Sequence, residues 1–333
     1  MKPFEYIRPE TVADAVAAAA THGDAAFLGG GTNLVDLMKL DIERPERLID
    51  VRRLGLSRIG ATANGLSIGA AVANADLAAN DFVRERYPMV SAALLSGAAP
   101  QIRNKATTAG NLLQRVRCAY FYDSARRCNK RAPGSGCDAL HGLERARAIF
   151  GADTSCVATH PSDLAVALVT LDAIAVTARH ETSGRRIPVE DLLRLPDGHP
   201  ERDHILEPGE IILHVELPPA PSQQVFRKVR ERASFEFATA SIGLACNIAS
   251  GRLSDVRLTL GGVAHKPWRA RAAERLLEGA VADVATARQA AAAALTDAAP
   301  GDDDAGKVRI VERLIVATLR DLSSRPEAEG DAA

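Results

Sequence analysis

The sequence lacks the features of three common classes of protein. Its net charge of −1 gives no general electrostatic basis for binding nucleic acid or an anionic membrane surface. Its longest apolar stretches are alanine-rich, and charged residues interrupt them well before the roughly 20 residues that a membrane-spanning helix needs. The first ten residues, MKPFEYIRPE, contain no apolar segment typical of a signal peptide. We therefore expect a soluble chain that neither binds nucleic acid nor inserts into a membrane.

Cysteine is rare outside one polar segment of the chain. Four of the five cysteines, Cys118, Cys128, Cys137 and Cys156, have the spacing C-x9-C-x8-C-x18-C. This spacing matches neither a CxxC zinc pattern nor a ferredoxin motif. Four thiols are the ligand count of an iron–sulfur cluster or a structural zinc ion. A pair of disulfides and ordinary buried cysteines are the alternatives.

The length and the order of the elements indicate two domains of the α+β class. At 333 residues the chain exceeds one average domain, and the proline cluster PPAPS (218–222) is the candidate linker. Strands and helices alternate before the linker. After it, the pattern predicts three strands, QQVFRKVRE, ASIGLACNIAS and DVRLTLGGV, and then three helices. Residues 323–333 lack the apolar content to fold and are predicted to form a disordered tail.

Two turns rich in small residues are candidates for binding an anion. In FLGGGTNL (27–34), three successive glycines allow backbone N–H groups to converge on a pyrophosphate, and Thr32 and Asn33 add side-chain donors. TTAGN (107–111) is a second such turn. Neither matches GxGxxG or GxxxxGK[ST], so each alone is equally consistent with an ordinary turn. Together they could clamp the diphosphate of a dinucleotide from two sides.

Five sequence blocks together resemble a known family. FLGGGTNL, TTAGN, SDLAVAL, EIILHVELP and LGGVAHKPWR, spread from about residue 3 to residue 320, resemble the FAD-binding subunit of the xanthine dehydrogenase and aldehyde oxidoreductase family of molybdenum hydroxylases. In ordinary members the TxGGN turn lies much closer to the SDL aspartate, whereas 51 residues separate Asn111 from Asp163 here. This longer segment resembles the [4Fe–4S]-bearing insert of bacterial aldehyde oxidoreductase FAD subunits. A comparable insert occurs in 4-hydroxybenzoyl-CoA reductases.

The resemblance implies a specific domain organisation. Residues 1–220 would form a two-subdomain FAD-binding fold of the vanillyl-alcohol-oxidase or PCMH type, with subdomains of about 1–55 and 56–220. The cysteine-rich insert would span about 112–160. Residues 221–322 would form an α+β domain like the C-terminal domain of CO dehydrogenase flavoproteins, with a three-stranded antiparallel sheet and helices.

The resemblance also implies an FAD site and a [4Fe–4S] cluster. Asp163 would hydrogen-bond the ribityl or adenosine portion of FAD, Ile212 would pack near the flavin, and Lys228 would stabilise reduced flavin at N1. A solvated basic strand face is the alternative for Lys228. The implied FAD contacts are Phe27, Leu28, Gly29, Gly30, Gly31, Thr32, Asn33, Leu34, Thr107, Thr108, Ala109, Gly110, Asn111, Asp163, Ile212 and Lys228. The implied cluster ligands are Cys118, Cys128, Cys137 and Cys156.

The implied function is that of an electron-transfer subunit. Electrons would pass from a molybdopterin-binding large subunit, where an aldehyde becomes an acid, through a small [2Fe–2S] subunit to FAD and an external acceptor. We expect a heterotrimer, and no residue of this chain is assigned to catalysis. The alternatives are the FAD subunit of a 4-hydroxybenzoyl-CoA reductase-like complex, a self-contained flavin oxidoreductase, and a zinc-stabilised binding module. The resemblance further implies a periplasmic location by co-export with a signal-bearing partner subunit, with a cytoplasmic location as the alternative.

Overall fold

Three β-sheets, each built from one stretch of chain, organise the protein. The computed structural model describes residues 1–323 except residues 22, 143–146, 181 and 302–303. The first stretch contains β1 (Glu5–Ile7), α1 (Val12–Ala20), β2 (Ala25–Leu28), α2 (Leu34–Lys39) and β3 (Arg47–Asp50). Its three strands are parallel, in the order β1-β3-β2. The triple-glycine turn therefore connects an edge strand to a short helix.

The second stretch forms a five-stranded antiparallel sheet. Its strands are β4 (Ile59–Thr62), β5 (Gly65–Gly69), β6 (Ile174–Ala178), β7 (Arg186–Pro188) and β8 (Ile211–Leu217), in the order β4-β5-β8-β6-β7. Its helices are α3 (Asn74–Ala79), α4 (Asp81–Arg86), α5 (Pro88–Ser96), α6 (Pro100–Arg103), α7 (Thr108–Leu112), α8 (Ala119–Tyr122), α9 (Asp163–Thr170) and α10 (Val189–Leu192), with a 3-10 turn at Asp138–Leu140. The cysteine segment lies between α7 and α9, and α8 and the 3-10 turn are the only helical elements among its described residues.

The third stretch forms an antiparallel sheet covered by helices. Its elements are β9 (Gln223–Val229), β10 (Ala240–Ala249), β11 (Arg252–Gly261), β12 (Trp268–Arg269), α11 (Arg271–Leu277), α12 (Val284–Ala294) and α13 (Ala305–Ser323). The three predicted strands are confirmed, but the sheet has four strands, because β12 pairs with the edge of β11. Two residues are too short a run for a sequence pattern to reveal. The predicted tail, apart from Ser323, lies outside the described residues.

One predicted helix is divided in two. The apolar spacing of residues 81–98 predicts a single helix, whereas the structure ends α4 at Arg86 and begins α5 at Pro88. Proline lacks a backbone N–H and disfavours helical backbone at the residue before it, so Tyr87 leaves the helix and Pro88 starts the next one. Among the described helices, none combines the length and the apolar character needed to cross a membrane.

Helix α9 is the central packing element, and it positions the aspartate of the SDL block. Every residue of α9 is buried, and the helix packs against α5 on one side and against β10 and β11 on the other. A Cβ at Gly243 would lie 2.3 Å from Thr170 Oγ1, and one at Gly261 would lie 2.4 Å from Val166 Cγ2. Glycine at these two positions therefore allows the helix to pack directly on the third sheet. Asp163 thus lies at the junction of the two domains.

Candidate functional site

The two small-residue turns contact each other directly. A Cβ at Gly30 would lie 1.7 Å from the carbonyl oxygen of Lys105, and one at Gly29 would lie 2.7 Å from Thr107 Oγ1. Real Cβ atoms do not approach backbone oxygen this closely, so only glycine permits this contact. Gly31 has a φ of 74°, which also favours glycine. The glycines therefore let one turn pack against the other, in addition to letting a ligand approach.

The triple-glycine turn presents unpaired backbone donors. Within the described residues, the N–H groups of Gly29, Gly30 and Gly31 donate no hydrogen bond to the protein. In the second turn, Thr107 Oγ1 accepts from Gly110 N at 3.3 Å and so begins α7. Successive free N–H groups next to a helix start form a concave site for an anion. The residues present therefore fit a diphosphate.

Two cavities meet at these turns. One has a volume of about 440 Å³ and the other about 510 Å³, and both are lined by Thr32, Asn33, Gly110 and Gln114. Ligand pockets commonly fall within roughly 300–1,000 Å³. The two cavities, joined at a turn with unpaired N–H groups, therefore match an elongated ligand with an anionic centre, such as a dinucleotide.

All but three of the residues predicted to contact FAD line one of the two cavities. The 510 Å³ cavity is lined by Phe27, Gly29, Gly30, Gly31, Leu34, Thr107, Ala109 and Ile212, and the 440 Å³ cavity by Asn111 and Asp163, in addition to the shared residues. Leu28, Thr108 and Lys228 line neither cavity. The structure thus brings together most of a set that spans almost 190 positions of sequence.

Thr108 has a local structural role. It is fully buried, and both its backbone N–H and its hydroxyl donate to the carbonyl oxygen of Val72, at 2.9 and 3.2 Å. Neither donor is therefore available to a phosphate. Of the two residues predicted to lie near the flavin, Ile212 lines the 510 Å³ cavity, and Lys228 contacts Asp163, which lines the 440 Å³ cavity.

Asp163 and Lys228 form a buried ion pair at the 440 Å³ cavity. Lys228 Nζ lies 2.7 Å from Asp163 Oδ2 and also donates to the Ser96 carbonyl at 3.1 Å. Burial raises the pKa of Asp163, and the Lys228 ammonium opposes that rise. Ser162, the residue before it, caps α9 by accepting from Ala165 N at 2.9 Å. Lys228 therefore lies in a buried pair, and the solvated-face interpretation is wrong.

The four cysteines of the insert line one small cavity. Cys118, Cys128 and Cys156 are buried, Cys137 is partly buried, and none of the five cysteines forms a disulfide. Burial raises the pKa of Cys156 to about 11, an effect that the nearby Lys130 ammonium opposes. Thiolates at this site therefore need positive charge close by, from metal ions or from a buried side chain.

Sequence reasoning missed several residues of the cavity walls. Gln114, Arg115 and Asp203 line the 510 Å³ cavity, and Arg117 lines the 440 Å³ cavity with its guanidinium 5.1 Å from the centroid of the Phe237 ring. None of these residues belongs to a recognisable motif. Arg115 and Arg117 stand out only as two of many basic residues in the cysteine segment, so the sequence contains no specific signal for them.

Comparisons with known proteins agree with this geometry. The family model described as the FAD binding domain in molybdopterin dehydrogenase matches residues 2–220, and that of the CO dehydrogenase flavoprotein C-terminal domain matches residues 224–321. The CO dehydrogenase from Hydrogenophaga pseudoflava has the same fold, with a TM-score of 0.75 at 24% identity over 95% of this chain and 96% of that one.

Two curated relatives extend the comparison. The chain is 51% identical over 286 residues to the aldehyde oxidoreductase FAD-binding subunit PaoB of Escherichia coli (strain K12), covering 85% of this chain and 88% of that protein. It is 26% identical over 330 residues to the carbon monoxide dehydrogenase medium chain of Afipia carboxidovorans, covering 98% and 97%. The resemblance drawn from the five sequence blocks is confirmed. The chain belongs to the family of FAD-binding subunits of molybdenum hydroxylases.

Proposed function

We propose that this chain is the FAD subunit of a molybdenum-dependent aldehyde oxidoreductase. The observation that carries the proposal is 51% identity, over most of both chains, to a subunit named for that activity. The two-armed cavity with free N–H groups at its centre supports FAD as the cofactor. A 4-hydroxybenzoyl-CoA reductase-like complex and a self-contained flavin oxidoreductase are not favoured by the comparisons.

The two cavities differ in the charge of the residues that line them, and this difference supports one orientation of FAD. Five carboxylates and two arginines line the 510 Å³ cavity, against three carboxylates and three arginines in the 440 Å³ cavity. Reduced flavin carries negative charge, so the less acidic 440 Å³ cavity, beside Lys228, suits the isoalloxazine. Ile212, predicted to pack near the flavin, lines the other cavity, so its contact with the flavin stays a prediction. When bound, FAD carries electrons from a partner's redox centre to an external acceptor.

The proposed partners are a large molybdopterin-binding subunit and a small [2Fe–2S] subunit. Relatives named as FAD-binding subunits or medium chains support this assembly. The test is to purify the complex and measure acceptor reduction with a panel of aldehydes and, as a matched control substrate, with xanthine. Aldehyde-dependent turnover with one FAD per chain is expected. Turnover of xanthine alone would contradict the aldehyde assignment and leave the family unchanged.

We also propose that the four insert cysteines bind a [4Fe–4S] cluster. All four line one cavity, yet within the described residues no group of three or more Cys, His, Asp or Glu side chains is arranged around a single metal ion. A four-iron cluster takes one thiolate per iron and so spaces its ligands more widely than one zinc ion does. Four thiols on one cavity are the ligand count of either centre, and the resemblance of this segment to [4Fe–4S]-bearing inserts is what favours the cluster.

Analysis of iron, acid-labile sulfide and zinc on the anaerobically purified chain tests the cluster. About four iron and four sulfide per chain are expected. Zinc without sulfide would show that the insert is a structural zinc site, and FAD without either metal would leave the flavoprotein assignment intact but remove the cluster.

A periplasmic location, reached by co-export with a signal-bearing partner, completes the proposal. Only the resemblance to exported complexes supports a periplasmic location. A cytoplasmic location is the alternative. Fractionation of cells that express the whole complex separates the two. We expect this chain to fractionate with periplasmic markers when the small subunit is present, and not when it is absent.

A further inference from the structure

A buried lysine faces the cysteine cavity. Lys130 lies two residues after Cys128, its side chain is 1% exposed, and it lines the same cavity as the four cysteines. Its ammonium donates to the Pro200 carbonyl and, at 2.6 Å, to Asp203 Oδ1. Burying an ammonium is costly unless it is paired, and this one is held in place by two acceptors from a distant part of the chain.

Asp203 connects this lysine to the FAD site. Its other oxygen, Oδ2, lies 2.5 Å from Arg115 Nε, and both residues line the 510 Å³ cavity. The backbone N–H of Arg115 donates at 2.8 Å to Asn33 Oδ1, at the end of the triple-glycine turn. Although burial opposes its ionisation, the pKa of Asp203 is lowered by Lys130 and Arg115. A continuous chain of charge-assisted contacts therefore joins the cysteine cavity to the FAD cavity.

Lys130 differs from the other cation beside the cysteines. Among the described residues that line the cysteine cavity, only Arg127 and Lys130 are cationic. Arg127 is 72% exposed and pairs with Asp138 at 2.8 Å, so water and salt screen its charge. The charge of Lys130 acts through the protein interior, where electrostatic interactions are stronger. Net charge, hydrogen bonding and solvent exposure near a cluster set its reduction potential.

We propose that the buried ammonium of Lys130, held in place by Asp203 and the Pro200 carbonyl, raises the reduction potential of the iron–sulfur centre. The inference rests on the proposed [4Fe–4S] cluster. Reduction adds one electron, and so one negative charge, to a centre that already carries four thiolates. A buried ammonium beside that centre favours the reduced form, whereas loss of the ammonium favours the oxidised form.

The test is a potentiometric titration of the cluster, followed by electron paramagnetic resonance, on the purified complex. Lys130→Met removes the charge and keeps the length of the side chain, and Arg127→Gln is the matched control. We expect reduction to become about tenfold less favourable in K130M, a shift of about 59 mV to lower potential for one electron. Arg127→Gln is expected to change the equilibrium constant for reduction of the cluster less than threefold.

Asp203→Asn gives an independent readout if K130M fails to assemble. This variant removes the anion, while the amide oxygen of Asn and the Pro200 carbonyl can still accept from Lys130 and keep the ammonium in place. The potential should therefore rise, opposite in sign to K130M. Iron, sulfide and FAD are quantified on every sample. A K130M cluster with full iron and an unchanged potential, or a D203N potential that falls, overturns the inference. Wild-type protein without iron and sulfide instead removes the cluster itself, and the inference falls with it.

Discussion

Asp163 and Lys228 join the two domains of the chain through one buried ion pair, 2.7 Å long. Asp163 begins α9 in the FAD-binding domain, whereas Lys228 lies on β9, at the edge of the C-terminal sheet. Their side chains are 8% and 4% exposed. Because Asp163 lines the 440 Å³ cavity, the same contact joins the two domains and sets the charge beside the cavity proposed to hold the isoalloxazine.

Removing one member of this pair is expected to destabilise the chain. Lys228→Met leaves a buried carboxylate without its cation, at a cost of about 3–5 kcal/mol in the free energy of unfolding. Denaturant unfolding measures the loss. Arg230→Met is the control, because Arg230 donates to the same Ser96 carbonyl at 2.8 Å without contacting the carboxylate. The double variant D163L/K228M should recover most of the stability, and no recovery would show that the pair does not act as a unit.

Gly30→Ala tests the contact between the two turns. The added Cβ would lie 1.7 Å from the backbone oxygen of Lys105, so the turns must separate. We expect a loss of about 1–3 kcal/mol in stability and weaker FAD binding, measured by flavin fluorescence. Gly60→Ala is the matched control, since a Cβ there meets no atom within 4 Å. FAD affinity equal to wild type in G30A would contradict the role assigned to this contact.

Local patterns predicted the local parts of this site. The triple-glycine turn, TTAGN and the strands β9, β10 and β11 follow from glycine content and apolar alternation, which neighbouring residues determine. The partners of these elements do not follow from such patterns. The Lys130–Asp203 contact spans 73 positions, and the Asp163–Lys228 contact spans 65. Such pairs depend on topology, which no motif in the sequence encodes.

The sequence also does not predict the direction in which a side-chain donor points. Thr108 and Thr107 are adjacent hydroxyls in one turn, yet Thr107 lines a cavity, whereas Thr108 donates to Val72 inside the core. Composition identifies both as possible donors, and only the fold distinguishes them. The same limit applies to Pro88, whose apolar neighbours predict a continuous helix that its missing N–H prevents.

Two buried histidines predict how stability depends on pH. Burial lowers the pKa of His160 to about 4 and that of His265 to about 3, from an ordinary value of 6.5. Below pH 6.5 the unfolded chain therefore binds protons that the folded chain does not, so stability falls as pH decreases toward 4. Each histidine contributes about 1.4 kcal/mol per pH unit in that window. Unfolding measured at pH 7, 6 and 5 checks the slope, and His265→Gln should reduce it; an unchanged slope would contradict this account.

Cysteine substitution distinguishes the four proposed cluster ligands from the remaining cysteine, Cys246. Cys156→Ser replaces a soft thiolate that borders the shared cavity and is expected to abolish most of the iron and sulfide, with a fall in melting temperature. Cys246→Ser is the control, because Cys246 lies fully buried in β10, away from the cavity of the insert. It should keep its iron even if its stability falls. FAD content is measured on both variants, because the glycine turns lie outside the cysteine cavity and should still bind FAD in C156S. Iron lost equally from both variants would show that general destabilisation, rather than ligand removal, empties the site.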